Sequence, residues 1–407
     1  MYARLLITNV RVVLPNRLID PGYVYVENGY ISEVGEGLTS GGSHLPEIDG
    51  DGSYLIPGLV DIHSDAVERE IQPRPNVTFP VSLACSELER KLATVGITTV
   101  FHSISFSAGE GVRSNELAAT IARYLSRMSD KPHLIRNRVH LRYEITNTSA
   151  ITLMDELIRE GVADLLSFMD HTPGQGQYKT IEQYKKYIKK TYWLGEEEFN
   201  ALVIQKMKER QAIDMSKLQS LATTARVNEV PLASHDDDTP DKIDEMYHLG
   251  ATIAEFPINL ATAKYARSLG MHVCVGAPNV LKGGSHENNL NAREAIDREA
   301  ANILCSDYYP SGLLQALFYL AKNGHNLPSA VCLATLNPAQ ATGLSDKLGS
   351  IEESKIADLI LVKLIEGRPV VIVTIVDGRV VTRFNYHCEP LKACMPSFME
   401  YLDHKVC

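Results

Sequence analysis

Nowhere in the 407 residues is there a run approaching the roughly 18 consecutive apolar residues that a membrane-spanning helix needs. The opening segment, MYARLLITNVRVVLPNRLID, has one early arginine but neither an apolar core region nor a small-residue cleavage site, so it does not read as a signal peptide. Cysteine is sparse: seven residues, an odd number, scattered and without a Cys-x-x-Cys pair. That usage argues against a disulfide framework and suits a reducing compartment, so a cytoplasmic protein is expected. Positive charge is also short, with 40 Lys and Arg against 50 Asp and Glu and a net charge of -10. A general nucleic-acid binder needs a basic surface and is excluded on this count. Any anionic ligand would have to meet a local basic pocket. Low-complexity tracts are missing as well.

What remains is an ordinary globular composition, 44% apolar and 22% charged. Chains beyond roughly 250 to 300 residues tend to divide, so one large domain with a smaller module is expected. Alternating apolar residues in ARLLITNVRVVL and YVYVENGYISEVG read as strands, with Asn28-Gly29 supplying hairpin-turn chemistry. The same texture returns late, in ADLILVKL and PVVIVTIVDGRVV, with a second turn at Asp377-Gly378. A small β-sandwich built from both chain ends, residues 1–56 and 345–407, follows from these patterns.

Between them, apolar runs ending in polar residues alternate with helical stretches, as in a parallel α/β structure. Eight such strand ends follow in order: GLVDIHSD, GITTVFHSIS, VHLRYEIT, ADLLSFMDH, VPLASHDDD, ATIAEFPI, MHVCVGAPN and ANILCSDYYP. Eight units in one run point to an α/β fold of the (β/α)₈ barrel type over residues 57–344, with its chemistry at the C-terminal strand ends. One excursion, about 172–230, is rich in Lys and Glu and helical in period; it reads as a lid or, more plainly, as a solvated helical insertion.

His63, Asp65, Glu144, His171, His235 and Asp307 all fall at these strand ends. Imidazole and carboxylate donors suit divalent zinc, manganese or iron, and the set is large enough for one or two ions. Two cations can clamp the attacking and leaving oxygens of a displacement at phosphorus, and Asp307 is the candidate acceptor for the water's proton. Each residue also has a plainer role. A lone strand-end histidine is usually just hydrogen-bonded, Asp65 and Asp307 could cap helices, and Glu144 could pair with Arg142. The coincidence of six donors at one barrel end favours the metal centre.

Anion contacts are expected from Lys282, Ser285 and His286 in the Gly-Gly loop of APNVLKGGSHENN, and from Arg69 and Arg74 in EREIQPRPNVTFP. A flexible surface turn and a proline-stiffened loop are the plainer readings of these two segments. Asp236 could assist the site, while Asp237 and Asp238 would cap the following helix. His387, Cys388, Cys394, His404 and Cys407 fit no structural zinc spacing and read as an incidental tail.

GLVDIHSD, Ser306-Asp307, TLNPAQATGL and GSIEESKIADLILV together resemble the amidohydrolase superfamily. More narrowly, DIHSDAVEREIQPRP, HLRYEI, SFMDHTPGQGQY, ASHDDDTP, EFPI, GAPNVLKGGSH and CSDYYPSGLLQA are similar, in order along nearly the whole barrel, to its ribosyl phosphonate triphosphate diphosphatases of the carbon-phosphorus lyase pathway. The resemblance implies hydrolysis of alpha-D-ribose 1-methylphosphonate 5-triphosphate to the 5-phosphate with release of diphosphate. It also implies the six metal residues named above, with Glu144 as the bridge and Asp65 a ligand although the superfamily commonly carries His-x-His there. One departure stands out: the later histidines of the superfamily end strands five and six, whereas His171 and His235 follow strands four and five in this count. Either the count is off by one or one histidine is not a ligand. The competing reading is an amidohydrolase acting on a cyclic amide or N-acyl group; a self-associated dimer is expected.

Overall fold

The computed structural model describes residues 4–39, 45–109, 111–174, 176, 182, 184–185, 195–284 and 289–386. Eight parallel strands form one sheet, Leu59–Ser64, Ile97–Phe106, Arg136–Glu144, Leu165–Met169, Leu232–His235, Ile253–Glu255, His272–Gly276 and Ile303–Cys305, each paired with the next. These are the eight runs read from the sequence, in the same order. The sheet closes where Ser64 pairs in parallel with Asp307, helped by Asp307 N donating to His63 O at 3.0 Å and Asp65 N to Asp307 O at 2.8 Å. Closure removes both exposed edges.

Side chains alternate across each strand, so one set points into the barrel and the other meets the helices. Val60, Ile62, Phe101, Leu165, Ala233, Ile253, Cys274, Ile303 and Cys305 fill the interior as a plug. A larger apolar layer, including Val100, Ile104, Leu141, Leu166 and Val273, lies between the strands and the surrounding helices. The barrel is a packed core on which the polar strand ends are mounted.

The strands from the two chain ends form a second eight-stranded sheet, in which Tyr54–Pro57 pairs antiparallel with Leu359–Ile365. It encloses its own core of Ile7, Val24, Val26, Leu55, Leu359, Leu361 and Ile375. Both expected hairpins are there. Leu18–Glu27 and Tyr30–Glu36 join through Asn28 and Gly29 at φ 58° and 86°, and Arg368–Val376 and Arg379–Arg383 join through Asp377 and Gly378 at φ 50° and 70°. Two left-handed residues are what a type I′ turn requires. The two turns meet, since a Cβ on Gly378 would come within 2.8 Å of Gly29 Cα.

The insertion after the fourth strand carries helices Glu196–Gln211 and Met215–Val227, and Tyr184, Phe199 and Val203 form a small cluster of their own there. Among the described residues, no helix is long and apolar enough to cross a membrane. Ser285, His286 and the Cys/His tail from His387 lie outside the described residues.

Candidate active site

The alternation that builds the barrel also loads its mouth. On the third strand His140, Arg142 and Glu144 are two residues apart, so all three face inward, and all three are buried. From the first strand, a register shift between Asp61 and Ser64 interrupts the alternation set by Val60 and Ile62 and brings buried His63 to the same opening, with half-buried Asp65 directly after the strand. Asp236, Phe256 and Asp307, directly after strands five, six and eight, have φ of 58°, 53° and 56°. Left-handed backbone at three non-glycine residues around one opening is the kind of strain that accumulates at functional sites.

Two buried glutamates orient two histidines. Glu255 Oε1 accepts from Nδ1 of His63 at 2.9 Å, and Glu144 Oε2 accepts from Nδ1 of His171 at 2.9 Å. A carboxylate only accepts, so it holds the proton on Nδ1 and turns Nε2 towards the centre, the arrangement that orients metal-binding imidazoles. Nε2 of His63 accordingly faces Asp65 Oδ1 at 3.7 Å, and Nε2 of His171 faces Asp236 Oδ2 at 3.5 Å. Glu144 also accepts from the His171 backbone N–H at 3.2 Å, so both of its oxygens serve His171. In this geometry both oxygens orient a histidine.

His235, at the end of strand five, lies between Arg142 Nη2, 3.0 Å from its Nε2, and Asp236 Oδ2, 3.2 Å from its Nδ1. Asp65 occupies the cap position of helix Ala66–Ile71 without making a side-chain cap bond; its Oδ1 accepts from Arg142 Nη1 at 2.9 Å instead. The simple Arg142–Glu144 pair is therefore not formed. Asp307 turns towards the same space from strand eight. Nor do Asp237 and Asp238 cap the next helix: Pro240 at its start sets the cap at Thr239, whose Oγ1 accepts from Lys242 N at 3.2 Å, while Asp237 is buried against Ser234.

Burial and charge set the ionisation. Burial, reinforced by Arg142, pushes His63 down to about 3. Burial also depresses His171, but Asp236 and Glu144 outweigh it and carry this imidazole up to about 9. Burial, with Asp65 nearby, raises the Asp307 carboxyl to about 7. For Asp236 burial is overridden by His235 and His171, leaving its carboxyl well below the usual range.

Among the described residues, three donor clusters have ligand atoms all within 4.8 Å of one another: His63, His235 and Glu255; His171, His235 and Asp236; and His63, Asp65 and Asp307. Glu255 Oε2 is buried with no hydrogen-bond partner, His140 Nε2 standing 3.7 Å away, and a cation would satisfy it. The donors are those that hold divalent first-row metals, and the residues present fit such an ion.

The structure brings five of the residues named from the sequence, His63, Asp65, His171, His235 and Asp307, to one opening; sequence reasoning passed over Glu255 and His140 and read Arg142 only as a partner of Glu144. The one signal for Glu255 is its position, since it ends the sixth strand as His235 ends the fifth. The strand count stands as read: His171 follows strand four, His235 ends strand five and Glu255 ends strand six.

Among the expected anion contacts, Arg69 is exposed with its guanidinium 5.4 Å from the Tyr308 ring, beside Asp307. Arg74 is exposed in the loop beyond it. Residues 277–282, read as a loop, form a short helix ending on Lys282: proline in its first turn suits the helical start, and Gly283 at φ 82° ends it.

An inward ring of imidazoles and carboxylates on an eight-stranded barrel, joined to a sheet from both chain ends, defines a metal-dependent hydrolase of the amidohydrolase kind, and the chain belongs to the Amidohydrolase family, whose model matches residues 54–381. It is 36% identical over 363 residues to the alpha-D-ribose 1-methylphosphonate 5-triphosphate diphosphatase of Escherichia coli (strain K12), an alignment covering 88% of this chain and 94% of that protein. Among solved structures it is similar to an amidohydrolase, with TM-score 0.62 at 16% identity over 93% of this chain and 98% of the other. A D-hydantoinase gives TM-score 0.62 at 13% identity, over 94% and 95%. These two likenesses speak for the fold.

Proposed function

We propose that this chain is a metal-dependent diphosphatase that hydrolyses alpha-D-ribose 1-methylphosphonate 5-triphosphate to the 5-phosphate and diphosphate, a step of phosphonate catabolism carried out in the cytoplasm. The observation that carries this reading is the likeness to the Escherichia coli diphosphatase along nearly the whole of both chains. The donor clusters at the barrel mouth support it.

His63, Asp65 and Asp307, with His171 and Asp236, are the residues that would hold zinc, manganese or iron; His235, a donor by position, has its Nε2 on Arg142. Once bound, such an ion supplies a Lewis acid for the phosphoryl oxygens and acidifies water. Glu255 and Glu144 keep the ligand imidazoles in one tautomer, and the apolar plug beneath them closes the floor to solvent. Asp307 takes the proton of the attacking water, the phosphoanhydride bond breaks, and diphosphate leaves with its electron pair. Arg69, Arg74, Lys282 and His286 offset the substrate's negative charge, and Ser285 offers it a hydroxyl.

Asp307→Asn tests the assignment. It keeps the size of the side chain but removes the proton acceptor, and loss of a general base costs roughly 10² to 10⁴ in rate. Diphosphate release from the ribosyl triphosphate should fall by at least that factor with the thermal midpoint nearly unchanged. Turnover within a few-fold of wild type would remove Asp307 from the mechanism.

A further inference from the structure

Arg142 places a permanent positive charge inside the centre. Guanidinium stays protonated at any accessible pH, and this one is only 8% exposed. Nη1 donates to Asp65 Oδ1 at 2.9 Å and Nη2 donates to His235 Nε2 at 3.0 Å. Both acceptors belong to the donor clusters.

The second bond has a consequence for His235. A guanidinium nitrogen can only donate, so Nε2 gives its lone pair to Arg142 and the proton of the neutral ring sits on Nδ1, beside Asp236. Neither nitrogen then has a lone pair for a cation. One oxygen of Asp65 is committed in the same way. His63 differs, since Glu255 takes its Nδ1 proton and Nε2 keeps its lone pair towards the centre.

We propose that Arg142 is a resident cation standing where a second metal would otherwise bind, so that the centre takes a single divalent ion. This rests on the reading of the site as a metal-dependent centre. Asp65 and His235 belong to different clusters, so Arg142 spans the two; an ion held by His171, His235 and Asp236 beside one held by His63, Asp65 and Asp307 would have to lie near the guanidinium, and like charges in a poorly screened interior repel strongly. Arg142 and that ion compete for Nε2 of His235. Asp65 then serves as the anchor for Arg142 as well as a candidate ligand.

The test counts ions without substrate. The protein is stripped with chelator, reloaded with excess zinc or manganese, desalted, and measured by native mass spectrometry and elemental analysis. Wild type should retain one ion per chain. Arg142→Met, which frees Asp65 and His235, should retain two, and Arg142→Lys, which keeps the charge, should retain one. No ion or two in wild type overturns the proposal, as does a single ion in an Arg142→Met protein whose circular dichroism shows it folded. The wild-type count decides the question even where Arg142→Met fails to fold. A protein that binds one ion yet leaves the triphosphate uncut would defeat the proposed reaction and leave the role of Arg142 standing.

Discussion

His102 shows how much one buried side chain can contribute to pH dependence away from the catalytic mouth. It is 2% exposed, and its Nε2 donates to Asn137 Oδ1 at 2.9 Å. Burial holds it down to about 4 against 6.5 for an exposed imidazole. Because the folded value is depressed, the folded state resists protonation. The contribution of His102 is complete above pH 6.5 and is lost as pH falls from there towards 4, about 2 kcal/mol of it by pH 5. His102→Gln should therefore lose less stability than wild type between pH 7.5 and 5 in urea titrations; equal losses would show that His102 is charged or solvated in the fold. At this scale the sequence was informative where a residue type carries its chemistry openly. Histidine and aspartate at strand ends stood out as donors. Glu255 did not, because glutamate in a three-residue strand looks like any surface carboxylate until burial is known. Arg142 was read as the partner of its sequence neighbour, and only the barrel's curvature brings Asp65 and His235 within its reach.

Elements position the site, and the insertion after strand four is the one most closely joined to it. Arg210 on the helix Glu196–Gln211 donates from Nε to Asp170 Oδ2 at 2.9 Å, and Asp170 immediately precedes His171. Asp170 is buried, so the bond links the insertion to the backbone that carries a candidate ligand. Arg210→Ala should speed amide hydrogen exchange across residues 196–211 and around His171 while leaving the distant strands unchanged; exchange unaltered near His171 would mean that the link carries no coupling. All eight barrel strands were legible because each is a short apolar run punctuated by polar residues. The helix Ala277–Lys282 was not. Six residues are too few to show a helical period, and its glycines suggested a loop when one of them is the helix stop.

The whole molecule depends on how the barrel meets the sheet made from both chain ends. Arg136, on the third barrel strand, pairs with Asp358, which is almost fully buried, and with Asp377 in the second hairpin turn. Removing one partner of a buried pair leaves the other charge uncompensated, at a cost of about 3 to 5 kcal/mol. Arg136→Ala should lower unfolding stability by about 3 kcal/mol in denaturant titrations; a loss below about 1 kcal/mol would show that apolar packing alone joins the two parts. The union of the chain ends could be foreseen because both carry the same alternating texture and turn chemistry, whereas the Arg136 join could not, since its partners lie more than two hundred residues away in sequence. The central claim, that this barrel cleaves a ribosyl phosphonate triphosphate with the help of a divalent ion, is tested most directly by phosphorus NMR of the metal-loaded protein with alpha-D-ribose 1-methylphosphonate 5-triphosphate beside a chelator-treated control. The account predicts diphosphate and a 5-phosphate in the loaded sample and neither in the control. An unchanged triphosphate spectrum with the metal still bound would contradict it.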